Sequence, residues 1–148
     1  MYKTIMVLLD GSKVAEGILP HVENLAKRYG AKVILVQIIE PIHILTNEPA
    51  IDLVEQTMIE SIQKKTQEYF HKLQWKLRTE GIYTETRIEV GNPVKKILEI
   101  ADRENVDLIA MVNRGQTGLS RVFYGSVAVG VSNRTDRPLL IIRAVEGP

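Results

Sequence analysis

The chain has no cysteine among its 148 residues, so disulfides, thiolate nucleophiles and cysteine-ligated metals are excluded. It also has almost no excess charge, with a formal net charge of +1 at pH 7, which argues against a broad nucleic-acid or anionic-membrane surface. No apolar run approaches the roughly 20 residues that a membrane-spanning helix needs, and the N-terminus has no signal-peptide layout. These absences predict a soluble cytoplasmic protein with no nucleic-acid partner and no membrane insertion.

Recognisable catalytic motifs are missing as well. The sequence has no P-loop, no nucleophile elbow and no paired-carboxylate or histidine-based constellation. Its three histidines, His21, His43 and His71, share no spacing that would suit a metal site or a catalytic pair. We therefore predict no catalytic residues and no metal-ligating residues.

What is present is an ordinary globular composition, with 45% hydrophobic and 25% charged residues, and a length that suits one domain over residues 1–148. Continuous apolar runs predict buried parallel strands, whereas the alternation of residues over 83–90 predicts a half-exposed edge strand. Together these patterns predict five strands, at 5–9, 33–39, 83–90, 107–112 and 138–143.

Helical periodicity fills the segments between the strands. We predict a helix over 14–29 that begins near Ser12 as N-cap and is kinked by Gly17 and Pro20. After an irregular loop at 42–50, a long helix is predicted over 52–79. Its expected inward-facing residues are Val54, Met58, Ile62, Tyr69, Phe70, Leu73 and Leu77. Trp75 is assigned most simply to the same packing face, with part of a partner surface as the alternative.

Two further helices are indicated by their start signals. Asn92 as N-cap and Pro93 at the first helical position open a third helix, and a fourth is predicted to open at Ser126 and to end near Arg134. Strands that alternate with helices imply right-handed crossovers and an open parallel α/β sheet with helices on both faces. In such sheets ligands bind at the carboxyl ends of the strands, where the winding direction reverses.

A glycine-rich loop follows the fourth predicted strand. Met111 and Val112 end the strand, glycines follow at 115, 118 and 125, and Ser126-Val127 begins the predicted helix. A strand that leads through such a loop to a helix N-terminus can hold an anion, because glycine permits close backbone approach and free N–H groups point at the ligand. We therefore predict that this loop holds nucleotide phosphates, with Arg114 as the favoured cationic side chain.

Three sets of residues resemble the universal stress protein family over nearly the whole chain. They are Val7-Leu8-Leu9-Asp10-Gly11-Ser12, Gly91-Asn92-Pro93, and the segment from Arg114 through Gly125-Ser126-Val127 to Arg137-Pro138-Leu139-Leu140-Ile141-Ile142. The resemblance implies a Rossmann-like parallel sheet in the order 3-2-1-4-5, similar to adenine nucleotide alpha hydrolases. It also implies a homodimer that forms through strand 5, here Leu139–Ile142.

For one branch the resemblance further implies ATP binding through a Gly-x2-Gly-x9-Gly-(Ser/Thr) pattern. Gly115, Gly125 and Ser126 match this pattern, whereas Val112 occupies the first glycine position. By the same resemblance Asp10 and a main-chain group of Ile38 hold adenine, and the loop glycines and serine hold ribose and phosphates. The candidate cofactor-binding residues are therefore Asp10, Ile38, Met111, Val112, Arg114, Gly115, Gly125, Ser126 and Val127.

The expected function is a dimeric stress-response or regulatory module that binds ATP or AMP, with Mg²⁺ accompanying a triphosphate, and acts on an unidentified regulatory partner. Val112 leaves two steric consequences open: a distorted loop if the position needs positive φ, or a narrowed pocket if it only needs room.

Three alternatives to this function remain: a dimeric scaffold that binds no nucleotide, a slow ATPase, and an RNA clamp at Gly115–Gly118, for which only four residues match. At the level of single residues, Asp10 and Ser126 are also ordinary capping residues. The loop glycines are likewise compatible with simple turns.

Overall fold

The computed structural model describes residues 1–41, 49–113 and 120–144, with backbone alone at 49–52 and 120–124. Helices and strands alternate along the chain, as the periodicity predicts. In order they are β1 (Thr4–Leu8), a 3₁₀ turn (Ala15–Ile18), α1 (Leu19–Tyr29), β2 (Lys32–Ile39), α2 (Pro49–Thr79), β3 (Thr84–Val90), α3 (Pro93–Arg103), β4 (Leu108–Asn113), α4 (Ser120–Arg134) and β5 (Leu139–Arg143).

The five strands form one sheet in the order β3-β2-β1-β4-β5, and every pairing is parallel. This confirms the predicted strand order and places β3 at an edge. Two apolar cores lie on opposite faces of the sheet: one contains Phe70 and Leu77 of α2 and Val22 of α1, and the other contains Ile97 of α3 and Val131 of α4. Helices therefore cover both faces. None of those in the described ranges is long and apolar enough to cross a bilayer.

The first helical segment is divided at its proline. Residues 15–18 form the 3₁₀ turn, and α1 then starts at Leu19 with Pro20 in its first turn. Proline costs nothing at that place because the first N–H groups of a helix have no partner within the helix. Gly30 ends α1 in the left-handed conformation, with φ 64°, and Asn92 caps α3 by accepting a hydrogen bond from the Lys95 N–H.

The long helix α2 differs from the prediction in two ways. It begins at Pro49, inside the segment expected to be an irregular loop, while residues 42–48 lie outside the described residues. Three side chains expected to face inward are exposed instead: Val54 is 57% exposed, Met58 49% and Ile62 39%. Trp75, assigned to the packing face, is 69% exposed.

The last helix also begins earlier than predicted. Because α4 starts at Ser120, Ser126 lies in its second turn and is not its N-cap. Gly125, taken as the end of a loop, is a helical residue. At Gly130 the helix passes very close to α3, since a Cβ added there would lie 2.7 Å from Cγ2 of Val94.

Candidate functional site

A notch forms where the central strand stops before its neighbours. The pairing of β1 with β2 ends at Leu8 and Val36, but β2 continues to Ile39. On the other side β4 continues to Asn113, three residues past the Ala110 that pairs with Val7. The two flanking strands thus form walls above the end of β1, at the reversal point where open α/β sheets bind ligands.

The notch contains a cavity of about 190 Å³ with mainly apolar walls. This is smaller than the roughly 300–1,000 Å³ of pockets that enclose a drug-sized ligand, so it can enclose one flat ring system but not a whole nucleotide. Its lining residues come from every element around the notch: Leu8, Leu9, Asp10, Ala15, Val36, Ile38, Pro93, Ile97, Met111, Val112 and Val127.

The main chain of Ile38 points into this cavity. In a parallel ladder successive residues bond to opposite neighbours, and Val36 bonds toward β1 because its carbonyl accepts from the Leu9 N–H at 2.9 Å. Ile38 therefore faces the same side, two residues further on. Within the described part of the chain no backbone hydrogen bond continues the ladder from Ile38 to residue 9 or beyond. The N–H and the C=O of Ile38 thus both face the space above the end of β1.

Asp10 lies on the rim and is held by its own turn. Its Oδ1 accepts hydrogen bonds from the Ser12 N–H at 3.0 Å and the Ser12 hydroxyl at 2.6 Å. The Ser12 Oγ in turn accepts from the Ala15 N–H at 3.1 Å. The capping role considered for Asp10 and Ser12 is therefore present. It is compatible with ligand binding, because it holds the carboxylate at the cavity that Asp10 also lines.

Val112 is accommodated in the strand without backbone strain. It lies in β4 opposite Ile142, and Asn105 is the one non-glycine residue with positive φ in the described ranges. The first consequence considered for this position, a loop distorted by positive φ, is therefore absent. The side chain packs against the core on the α1 side of the sheet and lines the cavity, so it occupies room that a glycine would leave.

The remaining candidate residues divide into two groups. Met111 and Val127 line the cavity with Asp10 and Ile38, whereas Arg114 and Gly115, like Gly118, lie outside the described residues. Gly125 and Ser126 are within α4, and a Cβ added at Gly125 would meet only Asn113 Oδ1, at 4.0 Å. Because the free N–H groups of a helix belong to its first four residues, the amides of α4 that could hold an anion are those of 120–123.

Six residues that line the cavity were not among the predicted ones: Leu8, Leu9, Ala15, Val36, Pro93 and Ile97. Pro93 and Ile97 reach it from the first two turns of α3, and Ala15 reaches it from the 3₁₀ turn. The sequence marks Pro93 as a helix start and Ile97 as part of an apolar stripe, but neither signal says which end of the sheet the helix meets. Arg137, from the locally basic C-terminal segment, binds the Val106 carbonyl at the opposite end of β4.

A hydrogen bond between two other elements adjoins the rim. The Tyr69 hydroxyl of α2 donates to Oε2 of Glu16 at 2.7 Å, in the 3₁₀ turn that carries Ala15. Burial raises the pKa of Tyr69 well above its usual value of 10.0, and the hydrogen bond to Glu16 and the negative charges of Glu16 and Asp10 add to the shift. The turn that forms one wall of the cavity is thereby tied to α2.

In the described ranges no group of three or more acidic or histidine side chains is placed to hold a metal ion. The cavity fits the apolar, flat part of a nucleotide, since its walls are mainly apolar and Asp10 is among its lining residues. A triphosphate and its Mg²⁺ would extend beyond it.

Comparison with known proteins agrees with this architecture. The model of the universal stress protein family matches residues 1–143. Universal stress protein MJ0531 of Methanocaldococcus jannaschii is 30% identical over 145 residues, which cover 97% of this chain and 83% of that protein. The solved structure of MJ0577, from the same organism, has a TM-score of 0.82 and 26% identity and covers 99% of both chains.

A nucleotide complex is also among the similar structures. A universal stress protein from Archaeoglobus fulgidus, solved in complex with dAMP, has a TM-score of 0.63 and 24% identity and covers 95% of this chain and 98% of that one. At this identity the likeness shows a shared fold.

Proposed function

Because the chain belongs to the universal stress protein family, we propose that it binds an adenine nucleotide in the notch above β1. The observation that carries this proposal is the pairing of an apolar cavity with the main chain of Ile38. Adenine offers a flat apolar face and, on one edge, a donor beside an acceptor. The Ile38 N–H and C=O supply the complementary pair. The dAMP bound by the Archaeoglobus fulgidus protein supports this choice of ligand.

The base would lie between Ile38 and Ile97 on one side and Met111 and Val127 on the other, with Asp10 at its exposed edge. The ribose and phosphates then project out of the notch, since the cavity encloses only about 190 Å³. They would extend toward Arg114 and Gly115 and toward the first amides of α4, where a helix N-terminus favours negative charge. The ligand is ATP or AMP, with Mg²⁺ accompanying the triphosphate.

We further propose that the protein acts as a cytoplasmic homodimer in a stress response. The dimer would form through the outer edge of β5, whose residues are mainly apolar and which no other strand pairs within the described residues. Bound nucleotide would bias the segment between β4 and α4, and through it a surface read by a regulatory partner.

Calorimetric titration with AMP and with ATP plus Mg²⁺ tests the nucleotide site. We expect saturable heat with a dissociation constant no weaker than about 10⁻⁴ M, and mass spectrometry of the purified protein should detect a co-purified adenine nucleotide. Asp10→Ala should weaken binding more than Asp10→Asn, because the amide keeps the Ser12 hydrogen bonds and loses only the charge. Absence of heat for both ligands at about 100 µM protein would overturn the proposal.

A second function is favoured by one observation, the Val112 side chain in the cavity. If that side chain excludes the base, the protein is a dimeric scaffold that binds its partner without a nucleotide. No change in melting temperature with AMP or ATP would then be expected for the native chain. Val112→Gly would create the binding that the native chain lacks.

A further inference from the structure

The N-terminal half of α2 extends beyond the sheet against which the helix packs. At 1.5 Å per residue the 31 residues of α2 span about 46 Å, whereas the 8 residues of β2 cover about 26 Å. Every residue of α2 buried in this chain lies at or after Thr66 among the side chains described. Before that point Leu53 is 65% exposed and Val54 57%, so the part of the chain that the structure describes leaves these apolar side chains largely uncovered.

From residue 53 onward, where its side chains are described, α2 has one side that is turned away from its buried side. Thr66, Phe70 and Leu77 mark the buried side, and positions spaced by three or four residues on the opposite side form what we call the outward face. Its members are all exposed: Leu53, Val54, Thr57, Glu60, Lys64, Glu68, Lys72 and Trp75. Trp75 is the single tryptophan of the chain and is 69% exposed, an unusual state for a residue type enriched in protein interfaces.

The charges of the outward face alternate in sign at every fourth residue, through Glu60, Lys64, Glu68 and Lys72. Such spacing allows ion pairs along one helix. In the described ranges, however, none of the four belongs to an ion pair. Glu60 has a long hydrogen bond from Gln56, at 3.5 Å. These exposed charges are thus available to pair with another surface.

We propose that the outward face binds the outward face of a second copy of this chain, with the two α2 helices antiparallel about a two-fold axis near residue 66. In this register Glu60 lies opposite Lys72 of the second copy, and Lys64 lies opposite Glu68. Two-fold symmetry repeats each contact, so four ion pairs form. The same register sets Trp75 against Thr57 of the second copy, beside its exposed Leu53 and Val54.

This surface is separate from the proposed β5 dimer contact. α2 packs on β2 and β3, and β5 is the strand at the far edge of the sheet, so one molecule can use both surfaces. A single pair of helices is at the small end of protein interfaces. We therefore expect a concentration-dependent association that weakens with salt, because its charges are exposed.

A charge exchange tests the proposal without changing the fold. One variant, Glu60→Lys with Glu68→Lys, makes the outward face wholly basic; the other, Lys64→Glu with Lys72→Glu, makes it wholly acidic. All four positions are exposed, so both variants should fold. Each should associate at least about tenfold more weakly than the native chain in sedimentation equilibrium. An equimolar mixture should recover association, because every contact then joins opposite charges.

Trp75 provides a second readout of the same event. Its fluorescence should shift to shorter wavelength with rising concentration of the native chain and in the mixture, but not in either variant alone. Trp75→Ala should weaken association, whereas Tyr83→Ala, the matched control at an aromatic 58% exposed on the adjoining edge, should not. Native-like association of either variant alone, or failure of the mixture to associate, would overturn the proposal. Loss of the β5 contact would change neither the difference between the charge variants and their mixture nor the difference between Trp75→Ala and Tyr83→Ala.

Discussion

At the scale of single residues, Val112 controls the size of the proposed site. A β-branched residue is costly where the chain needs positive φ, but here the chain has no such need because Val112 continues β4. Its cost is the volume of its side chain at the cavity wall. In the proposed site the departure from the family pattern would therefore affect how tightly a ligand fits, while the backbone at Val112 has no positive φ.

Val112→Gly should widen the notch and strengthen nucleotide binding by about tenfold, since removal of a steric overlap is worth roughly 1–2 kcal/mol. The same change should lower the free energy of unfolding by about 2 kcal/mol, because core contacts are lost and glycine is unfavourable in a strand. Calorimetric titration and denaturant unfolding measure the two effects. Val90→Gly at the end of β3, away from the cavity, should lower stability without changing affinity; equal affinities of native and Val112→Gly protein would contradict the steric account.

Tyr69→Phe should reduce stability by about 1 kcal/mol through loss of the hydrogen bond to Glu16. The folded state raises the pKa of the Tyr69 phenol, so its contribution is complete below the unfolded value near 10 and is lost as the pH rises above it. Native protein should therefore lose stability more steeply than Tyr69→Phe above about pH 10. Urea unfolding at pH 8 and pH 11 tests this, with Tyr29→Phe at a 40% exposed position as control. Parallel pH dependence in the two proteins would refute it.

At the scale of elements, the sequence predicts where helices and strands occur better than it predicts what they pack against. Asn92 and Pro93 open α3 as predicted, because a capping side chain and a proline at the first position act locally. The predicted start of α4 at Ser126 is wrong, because the helix begins at Ser120 and includes Gly125. A glycine inside a helix costs only about 1 kcal/mol, and neighbouring residues can outweigh that.

The orientation of α2 could not be read from its own residues for a different reason. Val54, Met58 and Ile62 repeat at a helical spacing and so predict a buried stripe, yet all three are exposed. The pattern reports an apolar face but not the length of the surface beneath it. Only the sheet, assembled from distant segments, shows that the first half of α2 extends past β2.

Among the described glycines, Gly130 leaves the least room for an added Cβ, which would lie 2.7 Å from Cγ2 of Val94 in α3. Gly130→Ala should gain about 1 kcal/mol of helix propensity but lose more to overlap with Val94, as overpacking typically costs 1–3 kcal/mol. We expect a net loss of about 1 kcal/mol in the free energy of unfolding. Combining Gly130→Ala with Val94→Ala should remove the overlap and give a favourable coupling in a double-mutant cycle. A coupling of zero would show that the two helices separate freely.

At the scale of the whole molecule, the alternation of strands and helices predicts the α/β class, and the resemblance supplies the strand order. Five of the predicted site residues, Asp10, Ile38, Met111, Val112 and Val127, line one cavity, and nucleotide binding by them stays a prediction. Pro93 and Ile97 were not predicted to line it, because their place depends on how α3 crosses the sheet, a tertiary property that no local pattern encodes.

The two edge strands of the sheet, β3 and β5, differ in their side chains. At β3, Arg87 binds Glu85 at 2.7 Å and Glu104 at 2.9 Å, and the Thr84 carbonyl accepts hydrogen bonds from the side chains of Gln74 and Arg78. Charges and occupied carbonyls discourage a further strand from pairing there. β5 offers Leu139, Leu140, Ile141 and Ile142 instead, which is why the proposed homodimer is assigned to that edge.

Ile141→Pro separates strand pairing between copies from strand pairing within the chain. The Ile109 N–H donates to the Pro138 carbonyl and the Ala144 N–H to the Asn113 carbonyl, so even-numbered residues of β5 bond to β4 and Ile141 faces outward. Proline at an outward N–H of an edge strand is tolerated, so the variant should fold but lose the β5 contact.

The control variant Leu140→Pro should instead lower the free energy of unfolding by about 3 kcal/mol or more, because it breaks the hydrogen bond to β4. Sedimentation velocity at high salt, where the α2 association is screened, should show a dimer for the native chain and a monomer for Ile141→Pro. A native monomer, or a dimer that survives this substitution, would exclude pairing through β5.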